Sequence, residues 1–164
     1  MKYQVLDHEV SLDEIKKIEF GNKKIGVIIH IEDLSGNILL QKRGANARDD
    51  IGLLEYIGGG LEDTDESFKA AIKRELREEI GDEARLKISD SIGIMYNTKN
   101  NTNWIFVIYF GTYLEGELKI MEPDKCEEIL FMTYEELMNS PQVTDGCKFL
   151  ARNVKTHQKM VNRI

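Results

Sequence analysis

Between Gly58 and Gly81 the chain reads GGGLEDTDESFKAAIKRELREEIG, a run of glycines feeding an acidic stretch with helical periodicity. Asp63, Thr64 and Asp65 offer N-cap oxygens, Glu66 adds charge to the first turn and Gly81 supplies a stop, so a helix is expected over roughly 65–80. At about 100° per residue, Phe68, Ala71, Ile72 and Leu76 share one arc, whereas Lys69, Lys73 and Arg77 fall outside it. Glu75, Glu78 and Glu79 lie inside the apolar arc. Three carboxylates on one inward face repel one another, and an unpaired buried charge is costly. Arg74, at the edge of the arc, offers one positive charge against three negative ones. All-oxygen ligation with no nearby His or Cys suits a hard divalent cation, Mg²⁺ or Mn²⁺, held by carboxylates, water and substrate phosphates. The competing reading is a solvated acidic face, the usual fate of such runs on helices.

Gly60, five residues, Glu66, seven residues and then Arg74-Glu75-Leu76-Arg77-Glu78-Glu79-Ile80-Gly81 resembles the Nudix box, the signature of the Nudix (MutT-like) hydrolases. Two departures stand out. Asp82 occupies a box position that is normally apolar, and the proline that usually precedes the glycines is missing. Read strictly, Gly58 takes the proline position. With a loop one residue longer around Thr64, Leu54–Glu62 (LEYIGGGLE) matches the family's aromatic-Glu-x-Pro-Gly-Gly-Gly-Leu-Glu run better. Either Gly58 or Gly59 then supplies the carbonyl that family members give to the metal, and Gly59 is the assigned ligand.

The resemblance implies an α/β fold, the Nudix α/β/α sandwich with a mixed central sheet, and hydrolysis of a nucleoside diphosphate linked to another moiety. It implies that Glu75, Glu78 and Glu79 hold Mg²⁺ or Mn²⁺, that Arg74 orients the glutamates and that Glu66 supports them from across the loop. Glu75 or Glu78 is the general base, unless a carboxylate from a distant loop serves. Arg43, at a strand end, is where such enzymes often hold substrate phosphate. Glu127 or Glu128 is the candidate for a further carboxylate from the later part of the chain. The run Glu122-Pro123-Asp124-Lys125-Cys126 looks like the nucleoside-triphosphate pyrophosphatase members, with Phe131 where they carry tryptophan. A triphosphate is therefore preferred over ADP-ribose or another nucleotide sugar. A non-catalytic, nucleotide-sensing domain is the alternative from a different class, and the intact Glu75/Glu78/Glu79 set argues against it.

The elements that must position these residues are legible in part. Ile25–Ile31 is nearly continuous and β-branched, as in a strand buried on both faces. Ser35-Gly36-Asn37 turns the chain and Asn37–Lys42 returns as a hairpin partner. Short strands near Glu55–Ile57 lead into the glycines. Arg85–Asn97 and Asn103–Leu114 read as two strands joined by a polar turn, and Trp104 and its aromatic neighbours read as core more readily than as a base-stacking platform. Residues 145–162 form a closing helix with Phe149, Leu150, Val154 and Met160 on its apolar side. Residues 1–23 suggest a short helix or an edge segment.

The 164 residues, 41% hydrophobic and 31% charged, fit a single domain with a sizeable core. A net charge of −7 argues against nonspecific nucleic-acid binding, while a bound cation would reverse the field locally for a small phosphorylated substrate. The two cysteines, Cys126 and Cys147, do not suggest a disulfide scaffold, and no apolar stretch reaches membrane-span length. The expectation is a cytoplasmic protein, a monomer or homodimer, whose partner is a small-molecule nucleotide rather than nucleic acid or a membrane.

Overall fold

The computed structural model describes residues 1–161. Its framework is a nine-stranded mixed sheet. Strands β1 (Lys2–Val5), β7 (Gly93–Lys99), β8 (Thr102–Glu115), β2 (Lys23–Glu32), β3 (Ile38–Arg43) and β4 (Leu54–Glu55) follow one another across it. Off this path β5 (Ile57–Gly60) pairs with β2, β6 (Arg85–Ile88) with β8 and β9 (Cys126–Met132) with β3. The helices are α1 (Leu12–Lys16), α2 (Phe68–Ile80), α3 (Tyr134–Asn139) and α4 (Asp145–Val161). Among the described residues, no helix is long and apolar enough to cross a membrane.

The centre is the parallel pairing of β2 with β8, in register from Lys23 with Asn103 to Glu32 with Thr112. Side chains alternate across these strands, so one face carries Val27, Ile29, Ile31, Ile105, Val107 and Tyr109. Phe68, Ala71, Ile72, Leu76 and Ile80 of α2 pack on that face, all buried. The opposite face presents Ile28, Phe106, Ile108 and Phe110 to Leu150, Ala151 and Val154 of α4. Two-sided burial explains why Ile25–Ile31 shows no polar alternation. Burying each large aliphatic or aromatic side chain contributes about 1.5–3 kcal/mol, so the sheet is held from both faces. The architecture is the α/β/α sandwich with a mixed sheet.

Several boundaries differ from expectation. α2 starts at Phe68 rather than near 65, because Ser67 is the residue whose side chain caps it, accepting from the Ala70 N–H at 3.0 Å. β3 touches β2 in ladder register only where Glu32 meets Ile38, then diverges to pair with β9 and β4. The stretch expected as one strand over 85–97 is two. β6 and β7 are separated where the N-terminal segment inserts: the Val10 N–H donates to the Ser91 hydroxyl at 2.9 Å, and the Ser91 N–H donates to Glu9. Residues 1–23 supply both an edge strand, β1 on β7, and the short helix α1, which buries Ile15. Asn100 and Asn101, at φ 50° and 61°, close the β7–β8 hairpin in the left-handed conformation that such two-residue turns need. The expected end of the closing helix at 162 and the side chain of Met160 lie outside the described residues.

Candidate active site

Four residues separate Gly60 from Asp65, and the turn they make is closed on itself. The Asp65 N–H donates to the Glu62 carbonyl at 3.0 Å and the Glu62 N–H donates to Asp65 Oδ2 at 2.8 Å. This points the Asp65 carboxylate at α2, where Arg74 grips it with two bonds of 2.9 Å, Nε to Oδ1 and Nη2 to Oδ2. The paired fork geometry is the strongest form of this contact. Arg74 holds Asp65 below the usual carboxylate range, and Asp65 raises Arg74 further above its own. Glu66, expected in this place, is exposed instead. The reason is the longer loop: Gly59, five residues and Asp65 reproduces in space the interval that Gly60 and Glu66 reproduce in sequence.

The same guanidinium reaches four further groups of the site. Its Nη1 lies 3.0 Å from Glu75 Oε1, 3.4 Å from Glu78 Oε2 and 3.4 Å from Glu62 Oε1, and its Nη2 donates to the Gly60 carbonyl at 3.1 Å. One cation thus faces four carboxylates. Glu75 is buried and its carboxyl is raised, by burial first, with Arg74 pulling the other way. Glu79 is pushed up to about 8 by burial first and by the charge of Glu75 second. Glu79 Oε2 is wholly buried with no hydrogen-bond partner among the described residues. Glu78 is the exposed member of the set.

The glycine strand explains itself by parity. In an antiparallel pair, one residue's N–H and C=O both face the partner and the next residue's both face away. The Leu61 N–H donates to Ile25 on β2 and the Gly60 carbonyl meets Arg74 on the other side, so Gly59 turns its backbone towards β2 and Gly58 turns away with Gly60. The Gly58 backbone accordingly hydrogen-bonds Glu79. Gly58, not the assigned Gly59, presents its carbonyl on the carboxylate side. Gly59 has a different constraint: a Cβ there would fall on the Glu75 carboxylate, 2.6 Å from its carbon.

Arg43 is placed at the end of β3 as expected, but its side chain is already engaged. Its Nε donates to the Asp49 carbonyl at 2.8 Å, its Nη2 lies 3.0 Å from Asp49 Oδ1 and its Nη1 lies 3.6 Å from Glu55 Oε2. Arg43 ties down the 44–53 loop. Glu127 and Glu128 are exposed on β9, with Glu127 paired to Lys42 at 3.6 Å. From this part of the chain it is Glu122 whose charge bears on Glu79.

Among the described residues no three acidic, His or Cys side chains already converge as a metal cage. The donor chemistry nevertheless fits a hard cation: an orphaned Glu79 oxygen, a Glu75 carboxylate against a residue that lacks a Cβ, an adjacent exposed Glu78, and only oxygen donors. Beside this lies a cavity of about 800 Å³, walled by Ile28, Met95, Trp104 and Phe106 and floored at one end by Gly58–Gly60. The carboxylates of α2 do not line it, so cavity and acidic cluster meet at the glycine strand.

Known proteins resemble the chain in sequence and in fold. A NUDIX domain family model matches residues 22–152. The CTP pyrophosphohydrolase of Escherichia coli (strain K12) is 48% identical over 62 residues, 38% of this chain, and the match spans 44% of that relative's length. The MutT protein from Methanosarcina mazei Go1 superposes with a TM-score of 0.70 at 20% identity, covering 86% of this chain and 99% of that one. The NUDIX domain of Shewanella oneidensis NrtR, solved in complex with ADP ribose, superposes at 0.67 with 14% identity, covering 89% and 97%. With a family model spanning most of its length and the same fold in both solved structures, the chain belongs to the NUDIX domain family.

Proposed function

We propose that the protein is a divalent-metal-dependent pyrophosphohydrolase that converts a nucleoside triphosphate into monophosphate and pyrophosphate. One observation carries the reading: a cavity of nucleotide size ends on bare glycine backbone whose far side carries the α2 carboxylates. A phosphate chain leaving the cavity crosses the glycines and arrives at that cluster. Glu75, Glu78 and Glu79 would hold Mg²⁺ or Mn²⁺, with a carbonyl from Gly58. When bound, the metal neutralises pyrophosphate charge and makes water nucleophilic at neutral pH.

The chain's own residues then divide the work. Arg74 fixes Glu75 and, through Asp65, the loop that carries the glycines. Glu78, exposed and held only at 3.4 Å, has the freedom to take a proton from the attacking water. The glycines admit the phosphates because no side chain stands between them and the cluster.

A triphosphate is preferred because the E. coli relative is named for CTP. ADP-ribose is the second reading, favoured by the NrtR domain solved with that ligand. Product analysis of a panel of triphosphates and ADP-ribose separates them. Pyrophosphate plus monophosphate from a triphosphate supports the first reading; AMP plus ribose phosphate, with triphosphates untouched, supports the second. Cleavage of neither overturns both.

A further inference from the structure

Four cationic side chains line the cavity: Lys24, Arg43, Arg48 and Lys99. Two are committed to neighbouring carboxylates. Arg43 is held by Asp49 and Glu55, and Lys99 pairs with Asp50 and lies 3.4 Å from Glu55. The other two are not. Among the described residues Lys24 forms no ion pair and Arg48 forms one, at 3.5 Å to an Asp49 carboxylate already engaged by Arg43. Both are exposed, yet both are positioned: Lys24 Nζ lies 5.8 Å and the Arg48 guanidinium carbon 5.4 Å from the centre of the Trp104 ring.

The ring beneath them is fixed. Trp104 is 8% exposed and stacks on Phe106, with centroids 5.0 Å apart and planes 4° from parallel. Phe106 in turn fills the space over Gly26, where a Cβ would lie 2.9 Å from its Cε1. Trp104 Cη2 sits 4.0 Å from where a Cβ on Gly60 would be. The ledge therefore runs from the core to the glycine strand and ends beneath two cations. An indole face attracts a cation weakly at an exposed site, enough to bias its position without neutralising it. A phosphate is a far stronger partner for either group.

Building on the triphosphate reading, we propose that Lys24 and Arg48, presented by Trp104, grip the substrate's polyphosphate chain from the side opposite the α2 carboxylates. Arg48 has the planar fork for two phosphate oxygens and Lys24 acts as a point charge. The grip selects for the number of phosphates and leaves the base to the rest of the cavity.

The test is calorimetric titration with inorganic tripolyphosphate in the presence of Mg²⁺, alongside triphosphate kinetics, for wild type, Lys24→Ala, Arg48→Ala and the double variant. Lys155→Ala is the control, since Lys155 makes the same kind of contact, 4.0 Å over Tyr134, beside a different pocket. Each single variant should weaken tripolyphosphate binding roughly tenfold and the double variant roughly a hundredfold, with KM rising in step and kcat moving less. Arg48→Lys should recover part of the loss and Lys155→Ala should match wild type. Binding by the double variant within twofold of wild type overturns the proposal, as does a wild type that binds no tripolyphosphate. If the wild type cleaves no triphosphate, the functional reading fails, and the titration still decides the grip by itself.

Discussion

Asp65 and Glu66 are neighbours of the same charge, and only one of them reaches Arg74. Replacing Asp65 by Asn removes the charge from a two-bond contact that orients Arg74 and hence Glu75. Activity should fall at least tenfold, because charge-assisted bonds of this kind contribute roughly 1.5–3 kcal/mol. Glu66→Gln should stay within about twofold of wild type, and comparing kcat/KM for the two variants checks the assignment. Sequence spacing pointed to Glu66 because the box interval is counted along the chain, whereas a one-residue longer loop shifts the interval in space. The signal was present in the better match of Leu54–Glu62 to the longer-loop alignment. Glu79 gives a pH prediction. Its carboxyl is raised from an ordinary 4.5 to about 8, so between those values the metal-free folded state binds a proton that the unfolded chain has lost. Stability from this group is present below about 4.5 and is lost as pH rises through about 8. Glu79→Gln should therefore melt higher than wild type near pH 8 in chelator, by an amount on the order of a few kcal/mol, and the difference should shrink towards pH 5. Thermal melts across that range check it.

At the scale of elements, the glycine strand and α2 make a pair of opposing predictions. A Cβ at position 59 meets the end of the Glu75 side chain, which can swing away, whereas one at 58 meets the Val27 carbonyl with Ile28 Cα 3.0 Å distant. Gly59→Ala should therefore keep most of its melting temperature and lose metal-dependent activity, while Gly58→Ala should lose about 1–3 kcal/mol of stability through overpacking. Melting and turnover measured on the same preparations separate the two. Much of α2 was legible, since Phe68, Ala71, Ile72 and Leu76 repeat with helical period and all four are buried. Its start was not, because Asp63, Thr64, Asp65 and Ser67 are all competent caps and only the turn closed by Glu62 and Asp65 leaves Ser67 in that position. The break between β6 and β7 was equally hidden. It depends on Glu9 and Val10 reaching Ser91 from about eighty residues away, and no local pattern records that contact.

For the whole molecule, the sheet sets two environments back to back. One face is closed by α2, whose last turns carry the carboxylates, and the other opens into the cavity beneath α4. The glycine strand is where they communicate. The continuous β-branched run of Ile25–Ile31 made a two-faced sheet predictable, whereas the cavity, assembled from the N-terminus, the 44–53 loop, the β7–β8 hairpin and α4, was not visible in any single stretch. The proposed role of this junction is to cleave a pyrophosphate bond with a divalent metal held by α2. The most direct measurement is pyrophosphate release from nucleoside triphosphates by wild type and Glu78→Gln, each with Mg²⁺ and with chelator. Release is expected from wild type with Mg²⁺ only, with a loss of at least about two decades in kcat for a well-folded Glu78→Gln. Release that persists in chelator, or a Glu78→Gln variant retaining more than about a tenth of the wild-type rate, would contradict it.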